Sequence, residues 1–344
     1  MGGAGYVGGE LLRLIRTHPD FDLAAAASGT YAGKAIGHVF PHLLQAYAGA
    51  AFCAPGAWAE SIAEGSDVAF FSAAPHGASA GTVAAALALA EERGFNVHVV
   101  DCSADFRYAD PAAFARVYAM EHPAPRLLEE FTCAVPEHAG EIGTPHAGHP
   151  GCFATAMLLV AIPLLKSGLI DNRLYVSGIT GSTGSGRTAK PGTHHPERNS
   201  NLYAYKPLDH RHAPEVEALA SKACGQRANV HFVPHSGSFA RGIHVTMQAG
   251  LKRGTNLDDV AEAYGSAYRA SPFVHFVTGT PRLKDVVTSN HAHIGAAVDA
   301  DSVSVMCVID NLVKGAAGGA MQWMNRLWQL PEASGLLAPA PGWT

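Results

Sequence analysis

In the stretch HPGCFATAMLLVAIPLL, Cys152 falls between a Pro-Gly turn and the first turn of a predicted helix. Orphan backbone N–H groups and the positive end of a helix dipole favour a thiolate there, and the thiolate is the nucleophilic form of cysteine. The alternative is a small buried hydrophobe at a helix start. Cys53, Cys102, Cys133, Cys224 and Cys307 lack this setting, and no C-x-x-C pair occurs. A cysteine nucleophile needs a partner titrating near neutrality. YKPLDHRHAPEV offers His210 and His212 beside Arg211, with His194 and His195 upstream in THHPERN. A metal site is not expected: there is no H-E-x-x-H, no carboxylate or cysteine stands at ligand spacing, and His210 and His212 are two apart. One histidine acting as acid/base partner to Cys152 is the better reading.

Two glycine-rich stretches could receive anions. The chain opens MGGAGYVGGELLRLI, so that Gly2, Gly5 and Gly8, with Tyr6 and Val7 between them, lead into an amphipathic helix. Such a turn presents N–H groups to a dinucleotide phosphate. A strand should precede it; the expectation is that the recorded start lies downstream of the true one, with Met1 where the strand's last apolar residue belongs. The second stretch, GSTGSGRT, has P-loop spacing with Arg187 in place of the lysine, but AKPGTHHPERN follows, and Pro191 and Gly192 break any helix. A loop of donors around a substrate fits better, with Arg187 and Lys190 as anion contacts.

The elements that must position these residues change character midway. FDLAAAAS, DVAFFSAAPHG and NVHVVDCSADFR read as apolar strands that run into loops, with an alanine-rich helix between the last two, which indicates a doubly wound parallel sheet. Ligands bind at the C-terminal ends of such strands, so the loops beginning at Ser28, Pro75 and Ser103 are places to look. FDLAAAAS stands at the distance expected for a second strand after the glycine turn and ends in SGTYAGK, without the acidic residue that would hold a ribose 2′-hydroxyl; Ser28, Thr30 and Lys34 bias the site toward NADP. Further on, a helix from Phe153 to about Lys166 precedes LYVSGIT, VHFVPH, GIHVTMQAGL and VSVMCVID, which suit a mainly antiparallel sheet. A last helix from about Asn311 to Trp328 carries GAAGGA (315–320), which lets another backbone approach closely. The resulting class is α/β: a Rossmann-type nucleotide-binding domain over 1–148, its first strand truncated, plus an α+β domain over 149–310 and a C-terminal helical segment over 311–344.

Composition narrows the function. The 344 residues are 48% hydrophobic and 15% charged with a formal net charge of -5. No nucleic-acid footprint appears. The longest apolar run, AMLLVAIPLL, falls short of a membrane span and contains Pro163. No signal peptide opens the chain, so the cytoplasm is the expected compartment.

Together, GGAGYVGGELLRLI, FSAAPHG, VDCSADFR, AVPE, HPGCFATA, GSTGSGR, HRHAPE, PHSGSFARGI and DNLVKGAAGGAMQ resemble, in order, the N-acetyl-γ-glutamyl-phosphate reductase family, a branch of the group that includes aspartate-semialdehyde dehydrogenase. The resemblance implies Cys152 as nucleophile, His210 as acid/base residue with His212 as the fallback, and a thioester route from an acyl phosphate to a semialdehyde at the expense of NADPH. It implies nucleotide contacts that take in Gly184 and Asn311 beside the residues named above, and a homo-oligomer, dimer or tetramer. It also implies that the segment 311–344 completes the first domain and that the domain over 149–310 serves catalysis and oligomerisation. Arg107 and Arg241 become clamps for the substrate's carboxylate or phosphate. HHPERN and the loop after GSTGSGR are similar to a reductase of carrier-protein-bound aminoadipyl phosphate, while HPGCFATA and GSTGSGR are similar to the arginine-pathway enzyme.

Overall fold

The computed structural model describes residues 1–343. They form two compact units, one made of 1–133, 141–149 and 316–337, the other of 134–140, 150–315 and the segment from 338 onward.

The first unit is built on four parallel strands, β1 (Asp67–Ser72), β2 (Asn96–Asp101), β3 (Phe131–Cys133) and β4 (His146–Gly148), in the order β1-β2-β4-β3. Parallel neighbours need a crossover, and the helix Ser79–Glu92 supplies one between β1 and β2, with Val83, Ala86 and Ala90 buried. The helix Gly318–Leu327 also belongs to this unit and packs on β2. Its Asn325 is buried but satisfied, facing His18 Nε2 at 2.9 Å and donating to the carbonyls of Glu332 and Ser334. The C-terminal helix is not continuous from Asn311 as expected from the sequence. A five-residue π turn, Val313–Ala317, comes first. Its cause is local: the Asp310 carboxylate takes the amides of Leu312 and Val313, and the Gly315 amide reaches back five residues to the Asp310 carbonyl.

The glycine turn meets the sheet at β1. The Met1 amino group donates to the Phe71 carbonyl at 2.7 Å, the Ala73 amide donates to the Met1 carbonyl, and the Gly3 amide donates to the Ala27 carbonyl. Beyond Met1 the lane between β1 and residues 21–27 is a cavity of about 360 Å³ lined by apolar groups including Leu11, Leu12, Ile15, Trp58 and Phe70. This explains a second correction. FDLAAAAS is not a strand; with one flank open it keeps only the parallel bridge between Ala27 and Cys53.

The second unit carries a seven-stranded sheet of β5 (Arg173–Thr180), β6 (Tyr203–Ala204), β7 (Asn229–Ser236), β8 (Ile243–Gly250), β9 (Val274–Phe276), β10 (Ala292–Val298) and β11 (Ser302–Ile309), in the order β6-β7-β5-β8-β11-β10-β9. The sheet is mixed but mainly antiparallel, because only β5–β7 and β9–β10 run parallel. Helices Cys152–Lys166, His212–Cys224 and Leu257–Tyr268 pack together on it. Burial alternates along β5, and the outward residues of this strand include Tyr175, which is 51% exposed and stacks on His231.

Candidate active site

Cys152 is the first residue of its helix, one position earlier than the periodicity suggested. Gly151 is the N-cap, in extended conformation and without a side chain to cap the turn. The rest of the helix is almost wholly buried, from Phe153 to Leu165, so the turn is fixed by its core. Gly151 also donates its amide to Glu215 Oε1 at 2.7 Å. On the other side stands Gly315, the first residue of the small-residue run, so close that a Cβ there would lie 2.7 Å from the Cβ of Cys152. That run does admit another backbone, and the backbone is the one carrying Cys152.

His210 reaches the same neighbourhood through Phe153. Its ring lies edge-to-face with those of Phe153 at 6.0 Å, Tyr205 at 5.6 Å and Phe232 at 5.5 Å, and 4.7 Å from the ring of His212. Burial among these rings, with Arg211 and Lys206 adding to the effect, pushes the His210 pKa down to about 4. Nδ1 accepts the His212 amide, which puts the proton of the neutral ring on Nε2. The approach to His210 is a tight loop stitched to β7 by Tyr205 and Leu208, with Lys206 and Leu208 both at positive φ, 46° and 60°. Burial, the charge of Cys152 and neighbouring Tyr203 hold the Tyr205 phenol protonated.

The remaining candidates of this unit divide by their partners. Arg241 forms a two-pronged ion pair with the wholly buried Asp310, through Nε at 3.0 Å and a terminal nitrogen at 3.2 Å. Asn311 accepts the Gly242 amide and donates to Thr183, and Gly184 lies beside it. Arg187 is exposed on the loop after the Ser182–Ser185 turn, while His212 is buried at the start of its helix. Among the described residues no three His, Cys, Asp or Glu side chains gather to hold a metal.

In the first unit the glycine turn has the tightness a phosphate cradle needs. Gly2 has φ of +70° and a Cβ would meet the Ala73 carbonyl at 2.4 Å; a Cβ on Gly8 would meet Gly3 at 2.5 Å. Gly5, the N-cap of the helix Tyr6–Arg16, is less confined, since a Cβ there would meet the Gly2 carbonyl oxygen at an ordinary 3.6 Å, and no side chain caps that helix. Tyr6 and Val7 open the helix, and the hydroxyl of Ser28 accepts the Tyr31 amide. Pro75 begins a loop held by Asp105, whose carboxylate takes the amides of Gly77 and Ala80 and so occupies the N-terminus of the helix Ser79–Glu92. Arg107 is buried and donates to the carbonyls of Cys102 and His149.

Sequence reasoning passed over Asp105, Glu215 and Asp310. Asp105 and Glu215 sat inside quoted motifs, VDCSADFR and HRHAPE, and Asp310 immediately precedes Asn311. A buried carboxylate gives no periodic signal of its own.

Comparison with known proteins agrees with this division. The NAD binding domain of semialdehyde dehydrogenases matches residues 1–142, and their dimerisation domain matches residues 152–311. The N-acetyl-gamma-glutamyl-phosphate reductase of Symbiobacterium thermophilum is 37% identical over 99% of this chain and 97% of its own length. That of Azotobacter vinelandii is 39% identical, covering 98% and 96%. A putative [LysW]-L-2-aminoadipate/[LysW]-L-glutamate phosphate reductase of Aeropyrum pernix is 36% identical, also over 98% and 96%. Among solved structures, aspartate semialdehyde dehydrogenase with NADP from Candida albicans shares the fold at a TM-score of 0.67 and 14% identity, over 96% of this chain and 97% of that one. The chain therefore belongs to the semialdehyde dehydrogenase family, with N-acetyl-γ-glutamyl-phosphate reductases among its near relatives.

Proposed function

We propose that the chain is an NADP-dependent reductase that converts N-acetyl-γ-glutamyl phosphate to N-acetylglutamate 5-semialdehyde and phosphate, a step of arginine biosynthesis. The observation that carries this reading is the Cys152 helix start, its N-cap bare of side chain, with His210 across the ring of Phe153. Relatives named for this reaction at 37% and 39% identity support it.

Cys152 Sγ attacks the acyl carbon; the C–S bond forms, the C–OPO₃ bond breaks and phosphate leaves, giving a thioester on the enzyme. NADPH, when bound, supplies the hydride that brings this carbon to the aldehyde level. The first-turn N–H groups of the Cys152 helix and the Nε2–H of His210 are assigned as donors to the oxyanion formed on the carbon. Its collapse breaks the C–S bond and returns the thiolate. The proton consumed overall goes to phosphate, and His210 is the residue placed to pass it on. Neutral at rest, His210 gains basicity when a dianionic acyl phosphate arrives beside it. Lys190, Arg187 and Arg241 are the cations assigned to the substrate, Arg241 by exchanging part of its Asp310 pairing, and Arg107 and His212 are further candidate contacts.

The cradle of Gly2, Gly5, Tyr6, Val7 and Gly8 fits a pyrophosphate, because Gly2 and Gly8 let the backbone fold tightly at a helix N-terminus that no side chain caps. Ser28 and Pro75 mark the loops that border it, and Gly184 and Asn311 are further candidate cofactor contacts. Ser28, Thr30 and Lys34 supply the 2′-phosphate preference. The protein is assigned to the cytoplasm. No helix among the described residues is long and apolar enough to cross a membrane. The sheet face that bears Tyr175 and His231 is assigned to a second copy of the chain, because residues 152–311 match a dimerisation domain.

The deciding experiment runs the reaction backwards, following phosphate-dependent reduction of NADP with N-acetylglutamate semialdehyde in wild type and Cys152→Ala. Wild type should turn over and the variant should not; equal rates would overturn the assignment. A carrier-linked aminoadipate semialdehyde assayed in parallel decides between the two named activities of the relatives.

A further inference from the structure

Leu208 occupies a position that one folded chain gives no reason for. Lys206–Asp209 is a tight turn closed by the Asp209 amide on the Lys206 carbonyl at 3.1 Å, with Pro207 second and Leu208 third at a φ of 60°. Glycine or asparagine suits such a third position, because a larger side chain crowds the backbone at positive φ. Leucine bears that strain and still leaves 67% of its surface exposed. The turn is firmly held: the Tyr205 amide donates to the Pro234 carbonyl, the Leu208 amide donates to the Phe232 carbonyl, and Tyr203 and Ala204 pair with β7 at the edge of the sheet. Ser200 and Lys206 also have positive φ, 56° and 46°, so this excursion holds three of the six such non-glycine residues among those described. Leu202, 56% exposed, and Tyr203 lie on it too. Strain and apolar exposure together, on a segment held in place by main-chain bonds, mark a contact made outside the single chain.

We propose that this turn is a self-association contact: Leu208 packs against a second copy of the chain across a two-fold axis, with Lys206 of each copy opposite Asp209 of the other. The inference rests on the assignment of the Tyr175–His231 face to a second copy, and the turn adjoins that face. The Leu208 amide bonds to Phe232, the residue after His231, and all of these positions lie within the matched dimerisation domain, residues 152–311. A two-fold contact needs a surface that complements itself. Lys206-Pro207-Leu208-Asp209 does so: a cation and an anion, both exposed, flank one apolar side chain, and a half rotation about an axis beside that side chain lays each charge on its opposite. A partner of one charge sign would be matched by only half of the turn.

Sedimentation equilibrium of the full chain over a dilution series from micromolar to nanomolar, with folding followed by circular dichroism, tests the contact. Association is the readout because Asp209 adjoins His210, so turnover would mix two effects. Leu208→Gly relieves the strained φ and removes the apolar group; it should keep the fold while the dissociation constant rises about tenfold or more. Asp209→Lys sets like charges opposite each other and should weaken association severalfold. Adding Lys206→Asp to it restores opposite charges and should recover most of that loss. Wild-type association in Leu208→Gly, or a double variant no better than Asp209→Lys alone, would overturn this contact and leave the assignment of the Tyr175–His231 face standing. A wild type that is monomeric at every concentration would overturn that assignment and this inference with it. Should Leu208→Gly fail to fold, the charge exchange decides alone.

Discussion

Gly315 and Cys152 touch so closely that position 315 tolerates no side chain: a Cβ would stand 2.7 Å from the Cβ of Cys152 and 3.1 Å from its Cα. Backbone on one side and the start of a buried helix on the other leave little room to yield. Gly315→Ala is expected to cost about 1–3 kcal/mol in chemical denaturation. Turnover should fall by more than tenfold, because a displacement of about an ångström misaligns a nucleophile. Wild-type activity in that variant would show that the π turn can move freely away from the thiol.

Acid should weaken the fold before neutral pH is far behind. Burial pushes the histidines 138, 146 and 210 down to about 4 from the usual 6.5. A group whose folded pKa is depressed gives stability that is whole above 6.5 and lost as pH falls toward 4. Asp101, raised by burial to about 6, works in the other direction, its contribution whole below 3.8 and fading as pH rises through 6. Three histidines outweigh one aspartate, so unfolding should take up protons between pH 6.5 and 4. Denaturation free energies should decline across that window by up to about 1.4 kcal/mol per pH unit for each net proton. A flat profile would mean that these rings are hydrated in solution.

Asp105 holds the loop after β1 by capping Gly77 and Ala80. Asp105→Ala strands two buried or half-buried amides and should cost about 1–3 kcal/mol. Because the same loop carries Pro75, NADPH affinity measured by fluorescence titration should weaken severalfold, and Asp105→Asn should recover part of both. An unchanged affinity would detach this loop from the nucleotide site.

Much of this was legible in the sequence because it depends on near neighbours in the chain. Cys152 at a helix start, the alternating strands β5, β7, β8 and β11, and the close approach made by GAAGGA each follow from a few residues. What was hidden depends on partners far away in sequence. Residues 21–28 have strand composition but keep only the bridge between Ala27 and Cys53, and the π turn at Val313 follows from the Asp310 side chain rather than from helix propensity. Arg241 could be read from sequence either as a substrate clamp or as half of an ion pair, and its partner Asp310 lies 69 residues on. Glu215 and Asp105 are of the same kind: carboxylates whose task is to satisfy amides that belong to another segment.

The open lane beside β1 gives that strand two kinds of backbone amide. In the parallel ladder to β2, the carbonyls of Ser66 and Ser72 point toward β2, while the Phe71 carbonyl and the Ala73 amide point toward Met1 and the lane. By the same alternation, the amides of Val68, Phe70 and Ser72 face β2, and those of Ala69 and Phe71 face the cavity. Hydrogen–deuterium exchange should therefore alternate residue by residue along one short strand, fast at 69 and 71 and slow at 68, 70 and 72. Uniform protection at all five would mean that the cavity side of the strand is closed to solvent.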